Sequence, residues 1–421
     1  MIKVNLAYSG LKQADLTNKK VLKALRAAHD NLHSLDRSAG TGWVEIPNEL
    51  SRQEIMNIKR AAKDIQEKCD VLVVLGIGGS YLGGYSAIKM LKRSPKTEVV
   101  YLGTSFSAQA LDGALDALKN KEVCLAVISK SGTTMETLVA LNVLEAFMKK
   151  KYKKKDEYKH RIYMITDYEK GYLRELSHKE GYTSFVIPRT VGGRYSVLTA
   201  VGLLPMAVAG INIDKVLDGA KKMYNECFKF DPLTNPAYTY ALARLLMSIK
   251  CGKKIEALCT FDDRLKEFGE WFKQLFAESE GKDKRGIFPV SLNYSTDLHS
   301  FGQFVEQGTP MLFETFLHIP TTENDFVLTV QEDSPIAYLN GKTMSEINMS
   351  AEEGTIRSHL KANVPIIKLE LDCLTEETYG ELVYFFEYAC ATYCYMLGVN
   401  PFNQPGVEGY KTQMREILKR H

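Results

Sequence analysis

Hydroxyl-bearing side chains are concentrated in one short stretch that follows an apolar run. Residues 123–128, VCLAVI, have the composition of a buried strand, and residues 129–134 read SKSGTT. Hydroxyl and backbone N–H donors at the start of a helix, with the positive end of the helix dipole behind them, suit a phosphate monoester. A helix cap is the alternative, because Thr133 and Glu136 have the spacing of a capping box. Four hydroxyls exceed what one cap requires, so we predict a phosphate site in this stretch.

A glycine-rich turn follows a second apolar run. The sequence VLVVLGIGGSYLGG at 71–84 indicates a strand whose end directs backbone N–H groups at an anion. The turn departs from the dinucleotide-binding pattern G-x-G-x-x-G, because Tyr81 occupies the sixth position. It departs from a P-loop because no Lys followed by Ser or Thr comes after Gly79. One phosphate is therefore favoured over a dinucleotide or a triphosphate, and a turn that serves only packing is the alternative.

Two further segments contain charged side chains that could act on a substrate. Residues 191–199, VGGRYSVLT, place Arg194 beside two glycines, where it could stabilise an oxyanion or lie on the surface. Residues 269–282, GEWFKQLFAESEGK, place Gln274 and Glu278 four residues apart on one helix face. A carboxylate in a partly dry site can remove a proton from a carbon next to a carbonyl. A solvated glutamate on an amphipathic helix is the alternative for Glu278.

The C-terminal part of the sequence adds possible acid and base groups. His299 lies in DLHSFGQFVEQG, and a purely structural histidine is the alternative to a functional one. In NPFNQPGVEGYKTQM, Pro405 fits the first turn of a helix. Gln404, Glu408 and Lys411 then share one helix face, as they also would in an ordinary amphipathic helix.

The elements that must position these groups form two series of alternating strands and helices. In the first series, apolar runs lie at 71–77, 98–102, 123–129, 162–166 and 183–187, with helices near 81–93, 106–118, 134–150, 169–179 and 196–209. In the second series, strands are predicted at 254–260, 286–292, 325–331 and 365–371, with helices at 264–280 and 376–396. Such alternation predicts mostly parallel sheets covered by helices on both faces.

Taken together and in order, six motifs resemble those of the glucose-6-phosphate isomerase (phosphoglucose isomerase) family in its shorter bacterial form. They are GIGGSYLGG, SKSGTTMET, VGGRYSVLTAVG, GEWFKQLFAES, DLHSFGQFVEQGT and NPFNQPGVEGYK. The resemblance implies an α/β fold with two tandem sugar-isomerase (SIS) domains, each an αβα sandwich on a mostly parallel sheet. The residue pattern predicts a mostly helical, polar N-terminal segment at 1–60. With it, the resemblance implies SIS domains at 61–212 and 213–398, and a C-terminal helical segment at 399–421 that completes the active site.

The resemblance also implies a reaction and the residues that carry it out. The reaction is the reversible isomerisation of glucose 6-phosphate and fructose 6-phosphate through an enediol(ate), in glycolysis and gluconeogenesis, without a metal or organic cofactor. Glu278 would carry the proton between C2 and C1, Arg194 would lie beside the enediolate oxygens, and His299 and Lys411 would open the sugar ring. The substrate-binding residues would be Ser80, Ser129, Lys130, Ser131, Thr134, Gln274 and Gln404. A homodimer is implied, in which His299 reaches the site of the neighbouring subunit.

Two alternatives to this function stay open at the level of sequence. One is an isomerase that also accepts mannose 6-phosphate, because no motif fixes how C2 is presented. The other is a non-catalytic sugar-phosphate-binding SIS protein. Such a protein would not need Glu278, His299 and Lys411 together, and all three are present.

Composition bears on the partners and the compartment. The chain has 421 residues, 45% of them hydrophobic, and a formal net charge of +3, so no strong charge favours nucleic acid or membrane. No apolar run reaches about 18 residues, and the N-terminal residues MIKVNLAYSGLKQ lack a signal-peptide core. The basic run at 149–155 follows a helix and is expected to stay solvated. The eight cysteines form no CxxC pair and suggest reduced thiols in a cytoplasmic protein.

Overall fold

Two five-stranded sheets form the framework of the computed structural model, which describes residues 1–34, 36–91, 94–154, 156–320 and 324–419. The strands are β1 Lys3–Asn5, β2 Val71–Leu75, β3 Glu98–Leu102, β4 Val123–Ile128, β5 Ile162–Thr166, β6 Thr183–Val186, β7 Ile255–Thr260, β8 Phe288–Asn293, β9 Leu312–His318 and β10 Ile366–Glu370. The first sheet has the order β3-β2-β4-β5-β6 and is parallel throughout. The second has the order β1-β10-β9-β7-β8, with β1 antiparallel to β10.

Helices connect and cover these strands. They are α1 Gln13–Leu16, α2 Lys19–Leu32, α3 Ile46–Glu49, α4 Arg52–Lys68, α5 Leu82–Leu91, α6 Ala108–Leu118, α7 Met135–Lys151, α8 Tyr172–Glu180, α9 Ala200–Val208, α10 Ile213–Cys227, α11 Pro236–Ile249, α12 Lys266–Glu280, α13 Gly302–Gln307, α14 Met344–Lys361, α15 Glu376–Leu397 and α16 Glu408–Lys419. None of the described helices combines the length and the apolar character that crossing a bilayer requires.

The central strands of the first sheet are buried on both faces. Along β2, Leu72 and Val74 belong to the large core that includes α4 and α9, whereas Val71 and Val73 belong to a separate core that includes α7. Because successive side chains of a strand point to opposite faces, a continuous apolar run fills both cores at once. This burial explains why the sequence predicted the central strands β2, β4 and β5. The mostly parallel sheets with their connecting helices confirm the α/β fold.

One strand of the second series was predicted at the wrong place. Residues 325–331 form no strand beyond an isolated bridge between Val327 and Thr343, and Phe326 and Val327 are exposed. The strand that fills this position in the sheet is β9, LFETFLH, which lies between β7 and β10. Its apolar run is interrupted by Glu314, which is buried because it accepts hydrogen bonds from Tyr294 and His359. Because Glu314 belongs to a buried polar network, the sequence of this central strand lacks the continuous apolar run that would have identified it.

The first 60 residues are not wholly helical. Residues Lys3–Asn5 form β1, which joins the edge of the second sheet beside β10, a pairing that a three-residue stretch cannot reveal in the sequence. The N-terminal ammonium also forms an ion pair with Asp372, 2.7 Å away. The parts of the predictions that fall on residues 92–93, 155 and 420–421 lie outside the described residues.

Candidate active site

Two glycine turns meet at the carboxyl edge of the first sheet. The turn after β2 contains Gly79 and Ser80, and a Cβ atom at Gly79 would lie 2.3 Å from the carbonyl oxygen of Gly193. Glycine therefore permits a close backbone approach that any larger residue would prevent. The contact brings Ser80 beside the turn that carries Arg194. Arg194 lies in a 3₁₀ turn before α9, which begins only at Ala200 and not at 196 as predicted.

The loop between β4 and α7 exposes hydroxyls that the helix does not use. The N-cap of α7 is Thr134, and its side chain makes no capping hydrogen bond, so the alternative of a capping box at Thr133 is wrong. The Thr134 hydroxyl instead lies 2.8 Å from the hydroxyl of Ser129, which is buried. Ser131 accepts a hydrogen bond from the Thr133 hydroxyl at 3.2 Å. Donors remain available at the positive end of α7, as a bound phosphate requires.

The side chain of Lys130 makes different contacts from the four hydroxyl side chains of the loop. Its ammonium group donates to the backbone carbonyl of Arg189 at 2.9 Å and to that of Val191 at 2.7 Å. Burial lowers the pKa of Lys130 from its ordinary value. The side chain thereby links the loop at 129–134 to the turn at 189–191 that leads into the Arg194 turn.

Helix α12 presents Gln274 and Glu278 to the cleft because its other face is apolar. The buried stripe of this helix has helical spacing and consists of Phe268, Trp271, Phe272, Leu275 and Phe276. The polar pair at positions 274 and 278 lies off that stripe. The Gln274 side-chain amide donates to Glu278 Oε1 at 3.1 Å, and the Glu278 side chain is 29% exposed.

Arg194 joins this helix to the C-terminal segment. The residue is only 3% exposed, and its Nη1 donates to Glu278 Oε2 at 3.1 Å and to Gln404 Oε1 at 2.8 Å. Its Nη2 donates to the carbonyls of Pro401 and Asn403 at 2.5 and 3.0 Å, and its Nε donates to Ser279 Oγ at 2.8 Å. A guanidinium fixed by so many acceptors keeps a permanent positive charge beside the Glu278 carboxylate.

The C-terminal helix α16 completes one side of the cleft. Lys411 lies on it and donates to Glu408 Oε1 at 2.9 Å. This ion pair lowers the pKa of Glu408. Gln404 precedes the short turn Pro405–Val407 that leads into α16, which agrees with the predicted role of Pro405. Gln404, Glu408 and Lys411 all line the cleft.

A single cleft of about 630 Å³ collects nine of the eleven predicted site residues. This volume is within the range of small-molecule sites. The nine are Ser80, Lys130, Ser131, Thr134, Arg194, Gln274, Glu278, Gln404 and Lys411. Ser129 is buried directly behind Thr134. Among the described residues, no group of three or more His, Cys, Asp or Glu side chains is arranged to hold a metal ion.

His299 is the predicted residue that this chain does not bring to its own cleft. It ends the 3₁₀ turn Thr296–His299 after β8 in the second sheet, and it is exposed. Two aromatic side chains close to it in sequence, Phe301 and Phe304, are 51% and 44% exposed.

Sequence reasoning missed several residues of the site. Ser279 is buried and accepts from Arg194, and the carbonyls of Pro401 and Asn403 do the same. Ser279 lies on the buried side of α12, so its helical position suggested packing, and backbone carbonyls leave no signal in a sequence. Further lining residues are Glu136, Asp167, Lys170, Val407 and Tyr410.

Comparison with solved structures supports the fold. A hypothetical protein from Thermus thermophilus superimposes with a TM-score of 0.90 at 26% identity, over 99% of this chain and 100% of that one. A glucose-6-phosphate isomerase from Chlamydia trachomatis superimposes with a TM-score of 0.81 at 19% identity, over 100% of this chain and 89% of that one. The fold is that of the SIS-domain sugar isomerases.

Sequence comparison defines the family. The model of the phosphoglucose isomerase family matches residues 53–421. A glucose-6-phosphate isomerase from Caldanaerobacter subterraneus subsp. tengcongensis is 46% identical, over 97% of this chain and 91% of the relative. The chain belongs to the phosphoglucose isomerase family. The resemblance predicted from the six motifs is therefore confirmed.

Proposed function

We propose that this cleft catalyses the reversible conversion of glucose 6-phosphate into fructose 6-phosphate, with Glu278 as the base. The observation that carries the proposal is the position of the Glu278 carboxylate. It lies between the Arg194 guanidinium and the Gln274 amide, in the same cleft as the hydroxyl loop at 129–134. A phosphate anchor, a base and a fixed cation are the groups that aldose–ketose isomerisation requires.

The proposed proton transfer uses one carboxylate twice. Glu278 removes the proton from C2 of the open-chain aldose and returns it to C1. The hydroxyl proton passes from the oxygen on C2 to the oxygen on C1, so the carbonyl moves from C1 to C2. The enediolate formed between these steps carries negative charge on oxygen. Arg194 lies at hydrogen-bond distance from Glu278, and its positive charge would stabilise the enediolate. General acid–base catalysis contributes about 10²–10⁴-fold, so much of the remaining acceleration must come from such fixed charge.

The phosphate would bind where the two loops of the first sheet meet. Ser80, Ser131 and Thr134 offer side-chain hydroxyls that line the cleft, and α7 directs its N-terminus at the same place. Ser129 would orient the Thr134 hydroxyl from behind. Lys130 would act mainly as a brace, because its ammonium is already held by two carbonyls.

Ring opening would need a second copy of the chain. Lys411 lines the cleft, whereas His299 is exposed on the second domain. We therefore keep the homodimer with shared sites as part of the proposal. The exposed rings of Phe301 and Phe304 beside His299 are the kind of apolar surface that a second subunit covers.

The proposal extends to cofactor and compartment. Base, cation and phosphate anchor are all supplied by side chains, so the reaction as written requires no metal or organic cofactor. All eight cysteines are free thiols, and most are buried. Reduced buried thiols favour a cytoplasmic location.

A coupled assay tests the reaction itself. Purified protein is supplied with fructose 6-phosphate, and formation of glucose 6-phosphate is followed through an auxiliary dehydrogenase. The same assay with mannose 6-phosphate as substrate measures C2 specificity. Turnover of fructose 6-phosphate that persists in EDTA is the expected result, and absence of turnover would overturn the proposal.

A further inference from the structure

A second buried arginine holds the last turn of α12, in addition to Arg194. Arg244 on α11 is 0% exposed, and its Nη2 donates to Oε1 of Glu280 at 2.9 Å. Glu280 is the final residue of α12 and is 1% exposed. The Nε of the same arginine donates to Oε2 of Glu256 on β7 at 2.5 Å. One guanidinium thus ties a helix, a strand and the end of α12 together.

The surroundings of Arg244 leave it little freedom to move. Its guanidinium lies 4.2 Å from the ring centroid of Phe276 and 4.3 Å from that of Tyr393. Glu256 is held in turn by hydrogen bonds from the hydroxyls of Tyr240 and Thr315.

Stability alone is a poor explanation for this ionic cluster. Two carboxylates share one cation in the core, and burial raises the pKa of Glu280 to about 7 although Arg244 acts in the opposite direction. Buried ion pairs often stabilise a protein no better than apolar residues of the same volume, because the charges must be desolvated. What the cluster does supply is a fixed geometry at the end of α12.

We propose that Arg244 and Glu280 are positioning residues for Glu278. The proposal rests on the proposed role of Glu278 as the base. That residue lies in the last turn of α12, where helices fray because the final carbonyls lack partners within the helix. Glu280 follows it by two residues, and its bond to Arg244 fixes the path of this turn from the core. The Glu278 carboxylate is then held in the position where it accepts hydrogen bonds from Arg194 and Gln274.

A pair of isosteric substitutions tests the proposal. Glu280→Gln removes the charge that holds the turn and leaves Arg244 paired with Glu256. Glu256→Gln makes the same chemical change on the same arginine, but on β7, away from α12. We expect kcat to fall roughly tenfold to a hundredfold in Glu280→Gln, because a misplacement of about 1 Å can cost that much. KM should stay within about twofold, and kcat of Glu256→Gln should stay within about threefold.

The outcomes separate this proposal from the one on which it rests. Unchanged kcat in Glu280→Gln, with thermal stability lowered alike in both variants, would show that the cluster is only structural. If Glu280→Gln does not fold, Glu280→Asp keeps the charge but shortens the side chain. A lowered kcat at unchanged KM in Glu280→Asp supports positioning, and a wild-type kcat overturns it. Normal turnover in Glu278→Gln would instead refute the base, whatever happens at position 280.

Discussion

At the scale of single residues, Glu278 has the hydrogen-bond partners and the partial exposure that suit a general base. Its two carboxylate oxygens accept from a cation and from an amide, and the side chain is still partly open to the cleft. Glu278→Gln retains the shape and removes the basicity. We expect kcat to fall by roughly 10²–10⁴-fold or more with little change in KM. Release of tritium from C2-labelled glucose 6-phosphate measures the step directly.

The matched control for this substitution lies on the same helix. Glu270→Gln changes a half-buried carboxylate that pairs with Lys273, 2.6 Å away, outside the cleft. It should leave kcat unchanged. Label release at the normal rate in Glu278→Gln would remove Glu278 from the role of base.

The hydroxyl loop is expected to act on binding more than on the chemical step. The double substitution Ser129→Ala and Thr134→Ala should raise KM roughly tenfold to a hundredfold, since the charge-assisted hydrogen bond of Thr134 to the phosphate contributes about 1.5–3 kcal/mol. Ser129→Ala alone should cost less, because its buried hydroxyl contacts the hydroxyls of Thr134 and Ser131 and does not line the cleft itself. Thr133→Ala, whose hydroxyl donates to Ser131, serves as the control. Steady-state kinetics with an unaltered KM in the double variant would exclude the loop from phosphate binding.

At the scale of elements, the sequence predicted the helices and strands whose packing requires a regular pattern of apolar residues. The helix at 264–280 and the apolar run at 71–77 were predicted correctly, because one face of α12 and both faces of β2 are buried. The strand β9 was missed because Glu314 and Thr315 interrupt its apolar run. Their polar groups are satisfied by partners far apart in the sequence, and no local pattern reveals such partners.

The packing of α2 should make stability depend on pH. His33 directly follows α2 and lies with its Nε2 2.8 Å from the Tyr388 hydroxyl of α15, and burial lowers the pKa of His33 to about 4. Unfolding exposes the ring, which then takes up a proton below about pH 6.5. The unfolded state therefore binds more protons between about pH 4 and 6.5, so this contribution to stability is present above about pH 6.5 and is lost as the pH falls.

Substitution of His33 by a side chain that does not titrate tests this dependence. Urea unfolding of His33→Gln at about pH 7 and about pH 4.5 should show a smaller drop in the free energy of unfolding than the wild type shows. Part of the dependence should remain, because burial also lowers the pKa of the neighbouring His29. His178→Gln, at an exposed position on α8, should behave as the wild type. Equal drops in His33→Gln and in the wild type would contradict the assignment.

At the scale of the whole molecule, the cleft is assembled from distant parts of the chain. The first sheet supplies Ser80, the hydroxyl loop and Arg194, α12 supplies Glu278, and the C-terminal helix supplies Lys411. Motifs identified these residues individually. Their assembly into one cleft depends on close backbone approaches such as that of Gly79 and Gly193. The domain boundaries at 60, 212 and 398 stay a prediction.

His299 lies outside the cleft of its own chain, and this position motivates a test of the proposed dimer with shared sites. Two inactive variants, Glu278→Gln and His299→Ala, are unfolded and refolded together in equal amounts. If symmetric dimers form at random, about half of them contain one chain of each kind. In such a dimer, one site combines the intact Glu278 of one chain with the intact His299 of the other, and the second site lacks both. We expect about a quarter of the wild-type activity, since half of the sites in half of the dimers are complete.

The alternative arrangement, without shared sites, predicts a different recovered activity for the same mixture. If His299 served the cleft of its own chain, each site would carry one defect, and mixing would restore no activity. Differently tagged chains, captured in sequence, establish that mixed dimers have formed before the assay is interpreted. Refolding each variant alone is the control and should give no activity, because all its sites lack the same residue. Proven mixed dimers without activity would refute the shared site, while the isomerase reaction proposed for the cleft would still stand on Glu278 and Arg194.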